Sequence, residues 1–206
     1  MKKWFLVYCC GFLLVGCASF APKTTTWYSG IYVMALQSVD CSDSTALNNS
    51  TIRLAEDGRY VYENDAIKLA WTNTRSQFEF IFYNKFDSSI KINWDDLSYI
   101  NYEGQSCRII HKGIKYTDKS APQASTVIPK NSYIDDLILP VDNIFYRDGW
   151  HEENLVPSIS QDKASLLKSS EGFIGKNVQI IFPIQIKNVI YEYIFTFNVD
   201  KFVPNF

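Results

Sequence analysis

The side chains best suited to nucleophilic chemistry in this sequence are Cys107 and His111, which lie four residues apart. In a cysteine hydrolase, a histidine within hydrogen-bond reach of the thiol takes its proton and leaves a reactive thiolate. The residues around this pair predict a β-strand, and four residues along a strand span about 13 Å. We therefore expect no cysteine nucleophile here, and we interpret His111 as a half-buried, hydrogen-bonded packing residue. A pH-sensing or recognition role of its imidazole is the alternative.

Other groups of ionisable side chains fall short of a metal or catalytic site. His151 is followed by two glutamates, but three adjacent residues cannot all point to one side of a strand. The pair Asp135 and Asp136 lacks the full set of oxygen ligands that a calcium loop supplies. The sequence has no His-Glu-x-x-His or Cys-x-x-Cys motif and no phosphate-binding glycine loop. We predict no cofactor, no metal ion and no enzymatic activity. The alternative is an enzyme whose catalytic residues form no recognisable sequence motif.

Aromatic residues interrupt the polar, proline-punctuated sequence between residues 118 and 158. Tyrosine and tryptophan are enriched among the residues that dominate binding energy at protein interfaces. We therefore predict that this region contacts a partner through Tyr133, Tyr146, Trp150 and His151. The alternative is that these rings pack beneath the loops that carry them.

The N-terminus has the pattern of a cleaved and lipidated leader. Two lysines precede an apolar run that ends at Val15, which is typical of a secretory signal peptide and too short for a spanning helix. Leu14-Val15-Gly16-Cys17 then resembles the lipobox of bacterial lipoproteins. The resemblance implies that residues 1–16 are removed and that Cys17 carries several acyl chains, such as palmitate, which anchor the protein stably. A signal peptide with an incidental cysteine is the alternative.

The residues after Cys17 predict where the protein is held. Ala18 and Ser19 follow the cysteine, without the aspartate associated with inner-membrane retention. This favours the outer membrane of a host with two membranes, with the domain facing the periplasm. Residues 17–26 predict a lipidated N-terminus and a polar tether, and residues 27–206 predict a single domain.

Length and charge narrow the classes of partner. Removing residues 1–16 leaves 190 of the 206 residues, with 18 basic against 22 acidic side chains and a net charge of −4. That length suffices for one domain with a substantial core. A mildly acidic chain has no electrostatic footprint for nucleic acid and no polybasic patch for anionic lipids. We expect membrane contact through the lipid on Cys17 alone and no nucleic-acid partner.

Two of the five cysteines remain free for other roles. Cys9 and Cys10 leave with the signal peptide, and Cys17 is lipidated. We predict a disulfide between Cys41 and Cys107, because thiols in exported domains are commonly oxidised. The bond would close a loop of about 65 residues and stabilise the fold by about 4 kcal/mol. Two separate buried thiols are the alternative.

Aromatic residues make up 16% of the chain, and with the many β-branched residues this is a strand-forming composition. Alternation and turn residues predict strands over 51–55, 59–63, 67–71, 77–84, 90–94, 98–102, 107–111, 178–186 and 191–199. Turn residues predict three hairpins, with Asp57-Gly58 joining the first two strands, Gly104 joining 98–102 to 107–111, and Lys187-Asn188 joining the last two. Strands 77–84 and 90–94 form a hairpin or face each other across a sandwich, and Pro183 marks an edge or a bulge. Ser160 would cap a short helix over 161–169. We predict a mainly β fold, an antiparallel immunoglobulin-like β-sandwich with one short helix.

Three short patterns lie in the middle of the chain. They are Asn84 with Ile90-Lys91-Ile92-Asn93-Trp94-Asp95, Arg108-Ile109-Ile110-His111 with Gly113 and Lys115-Tyr116, and Val127-Ile128-Pro129 with Asp136 and Leu139-Pro140. Over residues 78–146 the chain thereby resembles a widespread group of uncharacterised bacterial lipoproteins. The resemblance implies an exported β-sandwich and no particular chemistry.

Together these features favour a non-enzymatic, lipid-anchored protein of the bacterial cell envelope, whose β-sandwich binds another envelope component. The alternative is a binding module for a small or extended ligand, such as a peptidoglycan fragment, a glycan or a lipid.

Overall fold

The structure is a computed structural model, and it describes residues 26–206. The predicted signal peptide, Cys17 and the tether up to residue 25 lie outside the described residues. The first eight strands are β1 (Tyr28–Cys41), β2 (Thr51–Leu54), β3 (Tyr60–Glu63), β4 (Ile67–Asn73), β5 (Phe78–Asn84), β6 (Ile90–Ile92), β7 (Ser98–Ile100) and β8 (Ser106–Ile110). The remaining elements are β9 (Thr126–Ile128), β10 (Tyr133–Pro140), β11 (Ile144–Tyr146), β12 (Trp150–Glu152), β13 (Ile159–Ser160), the helix α1 (Lys163–Glu171), β14 (Asn177–Ile186) and β15 (Val189–Pro204).

Thirteen of these strands form one antiparallel sheet. Its order is β13-β1-β15-β14-β7-β8-β10-β5-β4-β3-β2, with β6 paired to β14 and β9 paired to β6. The strands β11 and β12 pair only with each other and form a separate two-stranded sheet.

The large sheet curls until its two halves face each other. Side chains alternate between the faces of a strand, and in β5 every second residue from Phe78 to Asn84 is buried. Trp71 of β4 lies 6.1 Å from Phe182 of β14 and 5.2 Å from Phe195 of β15, between ring centroids. These strands are far apart in the sheet order, so the contacts place one aromatic core between the two halves.

Two connections close the curl. Strand β10 pairs with β5 through Tyr133–Ile138 and with β8 through Leu139–Pro140, so it passes from one half to the other. Elsewhere, the Asn73 side chain bridges β4 and β1. Its Nδ2 donates to Tyr32 O at 2.7 Å, and its Oδ1 accepts from Met34 N at 3.1 Å. The Asn73 side chain therefore joins β4 to β1 by two hydrogen bonds, although the two strands are not paired.

The predicted fold class is confirmed at the level of a mainly β, antiparallel, curled sheet with one short helix, whereas an immunoglobulin-like sandwich specifically is not confirmed. The hairpins β2–β3, β7–β8 and β14–β15 form as predicted. The predicted hairpin between 77–84 and 90–94 is wrong, because β6 pairs with β14 and β9. The facing arrangement, which was the alternative, is the one found, with the Phe80 ring 6.4 Å from the ring of Trp94.

Two local predictions change in detail. Pro183 lies inside the sheet on β14, where one side of the strand pairs first with β7 and then with β6. Pro183 falls between these two pairings, so it has no partner on that side of β14. The helix is capped by Asp162, whose carboxylate accepts from Ala164 N and Ser165 N, and not by Ser160. Strands β1 and β10 were not predicted. Within residues 26–206, no helix is both long and apolar enough to cross a membrane.

Candidate functional site

The hairpin formed by β11 and β12 presents the largest aromatic rings at the surface of the region predicted to bind a partner. Tyr146 is 69% exposed and Trp150 is 42% exposed, and the two residues are paired directly across the hairpin. Their rings meet edge to face at 5.5 Å between centroids. The hairpin therefore displays two adjacent aromatic side chains in a fixed relation to each other.

The turn of the hairpin is set by Asp148 and Gly149. Both have positive φ angles, 54° and 147°, which glycine and, to a lesser degree, aspartate tolerate. Arg147 N donates to Gly149 O at 2.8 Å, and a ring nitrogen of His151, Nε2, lies 2.8 Å from Arg147 O. Asp148-Gly149 is a strong hairpin signal in the sequence, although no hairpin was predicted at this position.

The face of the hairpin with Tyr146 and Trp150 is supported by Tyr116. The Tyr116 ring lies 5.9 Å from the Trp150 ring, and its hydroxyl donates to Glu152. Burial, followed by this hydrogen bond to a carboxylate, raises the pKa of Tyr116 to about 12. The hydroxyl therefore stays protonated and keeps its hydrogen bond at neutral pH.

The opposite face of the hairpin holds His151 and Phe145, whose rings stack at 5.5 Å. Arg147 lies over the Phe145 ring, with its guanidinium carbon 5.9 Å from the ring centroid. At the base, Lys119 Nζ donates to Val141 O at 3.1 Å and to Ile144 O. These contacts fix the hairpin to the domain, so its exposed rings are held in place. Sequence reasoning missed the supporting residues because Lys119 and Tyr116 are distant in the chain.

Tyr133, the fourth predicted contact residue, does not join this surface. It is 62% exposed and lies at the start of β10, where its ring packs 5.3 Å from that of Tyr83. The hairpin follows the other end of β10, about 23 Å along the strand. The structure thus brings Tyr146, Trp150 and His151 together and leaves Tyr133 apart.

His111 is half-buried in a tight polar cluster, as predicted. Its ring stacks on Trp94 at 4.1 Å with an angle of 5° between the planes, and Nδ1 lies 3.3 Å from Asp136 Oδ2. Asp136 also accepts from Lys112 N at 2.7 Å and from Leu137 N at 2.8 Å. The carboxylate is thus occupied in holding the chain after β8 against β10, which is a structural role.

The predicted disulfide between Cys41 and Cys107 is absent from the structure, where both are free thiols. Cys41 ends β1 and Cys107 lies on β8, with β15, β14 and β7 between them in the sheet. Burial, then a hydrogen bond with Asp142, raises the pKa of the Cys107 thiol to about 11, and burial also raises the pKa of Cys41. Both thiols are therefore protonated at neutral pH, which is the reverse of nucleophile activation.

A small cavity lies near the end of β1 that carries Cys41. Its volume is about 180 Å³, and its lining includes Ala46, Asn64, Phe86, Ile186 and Tyr191. The lining is mostly apolar, and the Asn64 amide is already bonded to Ala46 O at 2.7 Å and to two tyrosine hydroxyls. The cavity is smaller than the 300–1,000 Å³ or so of typical ligand sites, so it admits only a small group.

In the part of the chain that the structure describes, no three His, Cys, Asp or Glu side chains come together in a way that could hold a metal ion. Comparisons with protein-family models, with curated proteins and with solved structures found no match.

Proposed function

We propose that this chain is a non-enzymatic lipoprotein of the bacterial cell envelope that binds another envelope component through the β11–β12 hairpin. The observation that carries the proposal is the exposed, edge-to-face pair Tyr146 and Trp150, supported from beneath by Tyr116. Ordered aromatic side chains lose little entropy on binding and supply much apolar area, which suits them to an interface. The sandwich of this proposal consists of the two facing halves of the curled sheet, and its immunoglobulin-like character stays a prediction.

The proposal includes the anchor on Cys17 and a location at the outer membrane facing the periplasm. It is supported by the lipobox-like residues 14–17 and by the absence of Asp directly after Cys17. Cys17→Ser removes the thiol that would be acylated, so we expect unprocessed precursor without attached lipid. Mass spectrometry of the membrane-extracted protein measures this, and a normally lipidated Cys17→Ser product would contradict the anchor.

The partner is sought by crosslinking in cells that express the lipidated protein, followed by mass spectrometry of what is captured. We expect one recurrent partner, and we expect Tyr146→Ala with Trp150→Ala to lower its capture by about tenfold or more. Truncating an interface aromatic of this kind costs about 2 kcal/mol.

Tyr133→Ala is the matched control, because Tyr133 is exposed to a similar degree and lies away from the hairpin. It should leave capture unchanged. Equal capture by the hairpin variant and the wild type would remove the hairpin from the interface. A thermal melt of each variant separates lost binding from lost folding.

A second candidate function is the binding of a small ligand, or of one end of an extended one such as a peptidoglycan fragment, a glycan or a lipid. The cavity near Ala46 and Tyr191 is the observation that favours it. A thermal-shift screen distinguishes the two functions, because only a ligand that binds the folded state raises the melting temperature saturably. Recurrent protein capture without any such shift favours the hairpin.

A further inference from the structure

Exposed apolar side chains gather where the predicted tether enters the domain. Trp27, which is 61% exposed, directly precedes β1. Ile159, Val203 and Phe206 are also exposed, and each lies beside one of the first residues of β1. We call these four residues the tether-end patch.

Strand pairing assembles one part of the tether-end patch. Ile159 of β13 pairs with Ser29, and Val203 of β15 pairs with Ile31, on the two sides of β1. Residues paired across antiparallel strands project to the same face of the sheet. Ile159 and Val203 therefore lie on one face of the sheet, on the two strands that flank β1. Both are beside the first residues of β1, which directly follow Trp27.

The other part is built around Phe206, beside Tyr28. Because Tyr28 alternates with Ser29 and Ile31, Phe206 lies on the opposite face of the sheet from Ile159 and Val203, at the same end of β1. The Phe206 ring meets the Tyr28 ring edge to face at 5.4 Å, and Asn205 N donates to Ser29 O at 2.8 Å. Lys163 Nζ lies 4.3 Å from the centre of the Phe206 ring. Aromatic rings accompanied by a lysine ammonium are the combination that favours the boundary between lipid headgroups and acyl chains.

The position of Cys17 limits which part of the domain can meet the bilayer. Nine residues separate Cys17 from Trp27, and the ten Cα–Cα steps between the two span at most about 36 Å when fully extended. Strand β1 carries the chain a further 14 residues away from Trp27, which is about 43 Å. The tether-end patch is thus the exposed apolar surface that lies closest to Cys17 along the chain, and a short tether gives it a high effective concentration at the membrane.

We propose that the tether-end patch inserts into the interface of the bilayer that holds Cys17, with Trp27 and Phe206 among the acyl chains and Lys163 at the headgroups. This rests on the lipidation of Cys17 that is part of the proposed function. It replaces the expectation that the lipid is the only membrane contact, and it orients the domain with the Tyr28 end of β1 toward the membrane.

Quenching of tryptophan fluorescence by brominated acyl chains tests this contact. The natively lipidated protein is reconstituted into vesicles of phosphatidylethanolamine and phosphatidylglycerol, with and without brominated phospholipid. Trp71 and Trp94 are fully buried, so Trp27 and Trp150 are the two exposed fluorophores of the described chain. Trp150→Phe leaves Trp27 as the exposed one, and Trp27→Phe leaves Trp150.

We expect strong quenching in the Trp150→Phe protein and its loss when Trp27→Phe is added. Phe206→Ala in the Trp150→Phe background should weaken the quenching, whereas Tyr133→Ala, at the far end of β10, should not. Unquenched Trp27 in protein that floats with the vesicles overturns the membrane contact and leaves the anchor intact. Protein that does not float with the vesicles contradicts the anchor itself. Quenching of Trp150 but not Trp27 would place the hairpin, and not the patch, in the bilayer.

Discussion

Three buried or half-buried asparagine side chains supply the polar contacts that hold separate parts of the sheet together. Asn84 Nδ2 donates to Ser88 O and Ile128 O, both at 2.9 Å, and Oδ1 accepts from Phe86 N. The contacts of Asn84 with Ser88 and Phe86 are local in the sequence. The roles of Asn64 and Asn73 could not be predicted from the sequence, because their partners Tyr193 and Tyr32 are 129 and 41 residues away.

The substitution Asn84→Asp replaces a buried donor with a carboxylate that faces carbonyl oxygens. We expect it to lower the free energy of unfolding by about 3 kcal/mol or more, since the lost donors and the buried charge both disfavour folding. Asn188→Asp, in the exposed turn between β14 and β15, adds the same charge and should change stability little. Denaturant unfolding compares the two, and equal midpoints would show that Asn84 does not stabilise the fold.

At the scale of elements, local signals in the sequence found the hairpins but not every strand. Asp57-Gly58 between alternating residues predicted β2–β3. Strand β1 was missed although Tyr32, Met34 and Leu36 face the core, because every residue from Ile31 to Leu36 is apolar and the sequence therefore shows no alternation. Strand β10 was missed because its apolar residues follow two adjacent aspartates and lie between prolines. Pairing with β5 and β8 on the two halves of the sheet, which no local pattern encodes, determines it.

The β11–β12 hairpin can be changed without changing the large sheet, because the two share no strand pairing. Gly149→Ala places a Cβ where φ is 147°, a backbone conformation that costs about 1–3 kcal/mol for residues other than glycine. We expect reduced partner capture and little change in the melting temperature of the domain. Gly172→Ala is the control, since Gly172 ends α1 with φ of −70° and accepts a Cβ without backbone strain. Undiminished capture by Gly149→Ala would mean that the turn does not shape the interface.

At the scale of the whole molecule, the hairpin and the first residues of β1 lie toward the same end of the domain. The β4–β5 turn connects them: Asn73 bonds to Tyr32 near the start of β1, and Ser76 Oγ donates to Glu152 of the hairpin. The cavity near Tyr191 lies toward the other end of β1. A partner of the hairpin would therefore be held close to the membrane surface, which suits a component that is itself membrane-bound.

The order of the strands in the sheet was beyond the sequence, since it depends on pairings such as β14 with β6 and β7 that join distant segments. The same limit applied to the site. Tyr146, Trp150 and His151 were predicted from residue type, but the separation of Tyr133 from them follows from the direction of β10. The anchor is local to residues 14–17 and stays a prediction.

The most direct test of the proposed function replaces Tyr146 with a photo-reactive amino acid in the lipidated protein and irradiates living cells. The comparison site is Tyr133, which is similarly exposed and lies at the far end of β10. We predict one discrete crosslinked product from position 146 that is absent from position 133, and that disappears when Trp150→Ala is added. No product from position 146, or the same products from both positions, would contradict a binding function of the hairpin.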